Sequence, residues 1–73
     1  MPTHSSTVTY FEAERIRKLL NMTSEQFSHR LGYTGTAYRY CLQEKRVTRG
    51  MAREIMLRYG RLLREIREDG GAK

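Results

Sequence analysis

The chain of 73 residues holds one cysteine, so no disulfide can form within it, and no Cys/His pairing has zinc-ligand spacing. No apolar run approaches the roughly 20 residues of a membrane span, and the first residues lack the apolar core of a signal peptide. The expectation is therefore a cytoplasmic protein with no membrane contact. No stretch gives a convincing β-strand signal, and there are no repeats and no low-complexity segment. The eight acids are scattered along helical stretches, there are two histidines, and there is no glycine-rich phosphate loop. Those absences speak against an enzyme and give no reason to expect a cofactor, a metal or a small-molecule ligand.

Shortness has its own consequence. A chain of this length forms one domain with a thin core, and such domains usually rely on a staple, a metal or a partner subunit. With the first two set aside, a second copy of the chain is the expected support.

What the chain has in excess is positive charge, and it is unevenly placed. The formal net charge is +6. Residues 1–27 carry three bases and three acids. Residues 28–53 carry six bases (Arg30, Arg39, Lys45, Arg46, Arg49 and Arg53) against Glu44 alone, and residues 54–73 carry five bases and four acids. A basic patch confined to the middle of the chain is either the footprint of a polyanion partner or solvated charge that aids solubility.

Helix signals follow in order. Residues 1–8 are polar and aperiodic and read as a disordered arm, with His4 inert in it. Thr9 with Glu12 is a capping box opening a helix through about Asn21, with Ala13, Ile16, Leu19 and Leu20 facing the core and Arg15, Arg17 and Lys18 on the surface. Thr23 with Gln26 is a second capping box, so a helix begins at Ser24, carries Phe27 and Leu31 on one face and ends at Gly32. Thr34 is read as the N-cap of a third helix from Gly35 to about Gln43, where only Tyr38 and Cys41 have core spacing. Thr48 then caps a long helix from about Gly50 to Glu68, in which Gly60 allows a kink or a close helix contact. Residues 69–73 read as a flexible tail. The expected fold is all-α, a bundle of four or five helices in a single domain over residues 9–68.

The stretch Thr23 to Arg46, TSEQFSHRLGYTGTAYRYCLQEKR, carries the functional signal. Its second helix has an apolar side only at Tyr38 and Cys41. The face with Gly35, Thr36, Arg39, Tyr40 and Gln43 has no apolar stripe and is free to meet something other than its own core.

The spacing of Ser28, Gly32, Tyr38 and Cys41, with Phe27, Leu31 and Tyr33 at flanking apolar positions, resembles the helix-turn-helix of phage Cro-type repressors. The likeness covers about residues 10–60. That family favours Ala where Ser28 stands, Val or Ile where Tyr38 stands, and Gly where Glu44 stands, so the tilt of the second helix is left open. The stretch AYRYCLQE, Ala37 to Glu44, is similar to the second helix of small anti-CRISPR-associated regulators, phage proteins that repress their own anti-CRISPR operons.

The resemblance implies double-stranded DNA as partner, with the second helix in the major groove. By position, the base readers are Gly35, Thr36, Arg39, Tyr40 and Gln43. Arg39 suits a guanine gripped through O6 and N7, and Gln43 suits an adenine edge or a phosphate. Thr36 can bond an edge or touch a thymine methyl, and Gly35 lets the backbone approach. Tyr40 lies over a thymine, bonds a phosphate, or packs on the rim of the motif. Phosphates fall to Thr23, Ser24, Thr34, Lys45, Arg46 and Arg49. Arg53 is a weaker candidate, Arg30 is read as capping its own helix, and His29 as a surface residue near the turn. Cys41 is read as a small core residue, since no group is spaced to activate it.

The apolar stripe Ile55, Met56, Tyr59, Leu62, Leu63 and Ile66 is wider than a small core needs. Part of it is expected to form a homodimer that sets two reading helices about 34 Å apart on an inverted repeat. The rival reading is a protein-interaction module, an antitoxin-like or anti-CRISPR inhibitor that reuses the helix-turn-helix shape.

Overall fold

Local chemistry begins and ends the helices of the computed structural model, which describes residues 8–69. They are α1 (Tyr10–Leu19), α2 (Ser24–Arg30), α3 (Ala37–Glu44) and α4 (Arg49–Asp69), and no strand occurs among the described residues. The all-α expectation holds with four helices. None of them is long and apolar enough to cross a membrane.

Both capping boxes form as read. The Thr9 hydroxyl accepts from the Glu12 amide while the Thr9 amide donates to Glu12 Oε1, and Thr23 and Gln26 repeat the pattern. Thr48 Oγ1 accepts from the Met51 amide at 3.3 Å and its carbonyl from the Ala52 amide at 2.9 Å, which starts α4. The first three helices then end alike. A left-handed residue follows each: Asn21 (φ 59°), Gly32 (φ 86°) and Lys45 (φ 57°). The next amide reaches back five residues, Met22 to Arg17, Tyr33 to Ser28 and Arg46 to Cys41. This is the Schellman arrangement, which satisfies carbonyls that a helix end leaves open. Only the middle helix uses the glycine that the conformation favours.

α1 packs against α4, and α2 against α3. Ala13 and Ile16 of α1, Phe27 of α2 with Leu31 at its C-cap, Tyr38 and Cys41 of α3, and Met51, Ala52, Ile55 and Leu63 of α4 fill the core together with Val47. Cys41 lies buried with its sulfur 3.5 Å from that of Met51, a core residue as read. Phe27 is the hub, edge-on to Tyr38 at 4.9 Å between ring centroids and stacked on Tyr59 at 6.0 Å.

Several expectations need correction. Val8, assigned to the arm, is buried in the core at 1 % exposure, while residues 1–7, including His4, lie outside the described residues. Leu19 is 56 % exposed, because α1 ends there and the chain turns away at Leu20, which packs on the core instead. α1 therefore stops two residues short of Asn21. α4 starts at Arg49 and keeps its helix to Asp69, so the tail begins a residue later, and residues 70–73 lie outside the description. A kink occurs as expected, at Tyr59 (φ −126°, ψ 29°) next to Gly60. The alternative of a close helix contact at Gly60 does not hold, since a Cβ there would meet nothing within 4 Å.

Arg67 near the end of α4 reaches back to α1, its Nε 2.7 Å from Glu12 Oε2 and its Nη2 3.1 Å from Oε1. That guanidinium holds the Glu12 carboxyl below the usual carboxylate range, against the opposing effect of burial.

Candidate nucleic-acid interface

The second helix of the motif does not begin where its sequence suggests. Thr34 is not its N-cap. The carbonyl of Thr34 accepts from the Ala37 amide in a turn, Thr36 occupies the cap position, and the Thr36 side chain makes no capping bond. Gly35 lies in that turn rather than in α3.

The missing cap comes from α2. Ser28, fully buried, donates its hydroxyl to the Thr34 carbonyl, and the same oxygen accepts from the Tyr38 amide at 3.2 Å. One side chain thus joins the two helices through the turn and satisfies a first-turn amide of α3. Ala, favoured at this place in the resembling family, cannot do this. Ser28→Ala is expected to lower stability by about 1–3 kcal/mol, because the buried Tyr38 amide loses its partner. A shift in thermal midpoint of less than about 4 °C would contradict that.

Tyr38 fixes the other side of α3. Its ring is buried against Phe27, and its hydroxyl donates to Glu14 Oε2 on α1 at 2.7 Å. Arg17 grips the same carboxylate with Nε at 3.0 Å and Nη2 at 2.8 Å, and donates Nη1 to the Met22 carbonyl at 2.7 Å. Helical spacing alone puts Arg17 on the surface. The structure makes it a half-buried strut between α1, the α1–α2 link and, through Glu14, α3. The Arg17 guanidinium holds the Glu14 carboxyl below its ordinary range, with burial opposing and the Tyr38 hydroxyl helping. Burial, then the bond to Glu14, pushes the Tyr38 phenol above its usual value, so it stays neutral and donates. The bulk of Tyr38 is accommodated because its polar end finds a partner across the core.

With α3 held from behind, its other face points outward. Thr36, Arg39 and Gln43 are exposed, and Tyr40 is 67 % exposed, which favours an outward role for Tyr40 over packing on the rim. Spacings of three and four residues put these four on one side of the helix. Gly35 does not join them. It is partly buried beneath Glu25, where an added Cβ would sit 2.9 Å from Glu25 Cγ. Nothing in the sequence pairs Glu25 with Gly35, and this acid stands beside the turn that leads into α3.

Lys45, Arg46, Arg49 and Arg53 are exposed just beyond α3, as are Thr23 and Thr34, with Ser24 half-buried. At the start of α2 the Thr23 and Gln26 amides are already bonded in the capping box and Glu25 adds a negative charge, so that end is a poorer phosphate seat than the sequence suggests. His29 and Arg30 are exposed in the last turn of α2. Of the apolar stripe on α4, Ile55 and Leu63 are core. Met56, Tyr59, Leu62 and Ile66 are half-buried beside it.

No protein-family model, curated protein or solved structure matches this chain. The site therefore stands on its own geometry: an outward helix face with no apolar stripe, a cation cluster following it, and two polar networks, one buried and one half-buried, fixing its direction. Among the described residues no group of His, Cys, Asp and Glu side chains could hold a metal ion.

Proposed function

We propose that the chain is a sequence-specific binder of double-stranded DNA that represses transcription, as a homodimer on an inverted-repeat operator. By its likeness to phage Cro-type and anti-CRISPR-associated regulators, its target is the operon of a phage or mobile element that encodes it. One observation carries this reading. The exposed face of α3 offers Thr36, Arg39, Tyr40 and Gln43, and the cations Lys45, Arg46 and Arg49 follow it directly. Guanidinium, amide and hydroxyl groups are the ones that read base edges, and cations beside them are the ones that hold phosphates.

Homodimerisation rests on the part of α4 left over from the core, Met56, Tyr59, Leu62 and Ile66, which a second copy would cover. Two copies would bring six phosphate-binding cations, three from each.

Selection of bound fragments from random duplexes tests the reading and yields the operator. For the selected duplex, the binding constant is expected to fall about 10³-fold between 50 and 200 mM salt, since each of some six phosphates contributes about 0.9 to the logarithmic slope. A flat salt response, or no enriched sequence, would refute it. A chain that stays monomeric at micromolar concentration in sedimentation would refute the dimer.

A further inference from the structure

One surface is used only in part by the DNA reading. Between the start of α1 and the first half of α4 lies an open groove of about 1250 Å³. Val8, Val47, Ala52 and Met56 contribute apolar lining, and Phe11 and Leu57 stand in it at 78 % and 71 % exposure. Lys45, Arg46, Arg49 and Arg53 also line it, and no carboxylate does. Single exposed apolar residues are ordinary, but two large ones on one groove with four cations are a combined chemical signature.

We propose that this groove docks an acidic amphipathic segment of another protein, a helix with leucine or phenylalanine on one face and carboxylates on the other. The argument is one of complementarity. Duplex DNA satisfies the cations but leaves Phe11 and Leu57 in water. A second copy brings four like charges against four, which repel. Residues 1–7, which precede Val8, carry no acid. A small molecule does not need the space, since such sites usually measure roughly 300–1,000 Å³ and are enclosed. An anionic amphipathic helix meets both halves of the surface, in the helix-in-groove mode with apolar anchors at i, i+3, i+4 and i+7. Because Lys45, Arg46 and Arg49 also flank the reading helix, such a segment would compete with DNA for them.

The test uses the full chain without DNA. A fluorescein-labelled peptide of about 14 residues, with Leu and Phe at those four spacings and Asp or Glu elsewhere, is titrated by anisotropy. A second peptide has Ser in place of Leu and Phe. The first is expected to bind at least about tenfold more tightly than the second, because only it buries Phe11 and Leu57. The double variant Phe11→Ser, Leu57→Ser is expected to lose that difference while keeping its helical circular dichroism and its affinity for duplex DNA. Equal binding of the two peptides would overturn the proposal, reducing it to charge attraction, and so would an unaltered preference in the double variant. Self-association of the parent at micromolar concentration that the double variant abolishes would also overturn it, making a second copy the occupant. Peptide binding and duplex binding are measured separately, so the failure of one is distinguishable from the failure of the other.

Discussion

Tyr38→Ala is expected to leave the chain largely unfolded at 37 °C, whereas Tyr38→Phe is expected to fold and to read DNA less selectively. The first change removes a buried ring at the centre of the core and costs about 3–5 kcal/mol. A domain of this length has only about 4–11 kcal/mol in total. The second keeps the ring on Phe27 but removes the bond to Glu14, costing about 1 kcal/mol. If that bond sets the tilt of α3, Tyr38→Phe separates selectivity from stability. The ratio of selected to random duplex affinity drops severalfold while the thermal midpoint moves by only a few degrees. An unaltered ratio would show that the hydroxyl is there for solvation alone. Acid should act on the same network. The folded Glu14 carboxyl titrates below its ordinary 4.5, as does that of Glu12, so both contribute stability above that value and lose it as pH falls through their lower folded values. Melts between pH 7 and pH 5 should therefore barely differ, with the loss confined to more acidic solution.

The second large effect concerns division of labour on the outward face. Arg39→Ala is expected to cost about 1–3 kcal/mol of discrimination at one base pair, about 5- to 150-fold, and to leave salt-sensitive binding to all duplexes. Arg46→Ala is expected to weaken every duplex alike and to lower the logarithmic salt slope by about 0.9 for each copy bound. Both side chains are exposed, so neither change should disturb the fold. Gel shifts on selected and scrambled duplexes distinguish the two outcomes. Identical behaviour of the two variants would mean that Arg39 holds a phosphate and that the readers lie elsewhere on α3.

Where the sequence was legible, the signal was local. A capping box spans four residues, so Thr9 with Glu12 and Thr23 with Gln26 announce two helix starts unaided. The outward face of α3 was legible because it lacks an apolar stripe, and the turn because Gly32 takes a conformation that glycine favours. Where the partner is distant the signal vanishes. α3 borrows its cap from Ser28, ten residues before Tyr38, so the sequence suggested Thr34 and an early start at Gly35. Arg17 resembled any surface base until Tyr38, far along the chain, completed the Glu14 site. Leu19 and Leu20 are equivalent by hydrophobicity, and only the end of α1 decides which one is covered. Glu25 over Gly35, and Phe11 and Leu57 on one groove, are meetings of elements that no local periodicity records.

The clasp between Arg67 and Glu12 spans 55 residues, whereas α2 and α3 are joined across a short turn. Chain closure over long separations is the slower event, so the α2–α3 pair forms early and the ends of the domain meet last. During synthesis α3 would therefore already lie against α2 while α1 still awaited its other wall. The clasp of Arg67 on Glu12 would then close the domain only with the final turns of the chain.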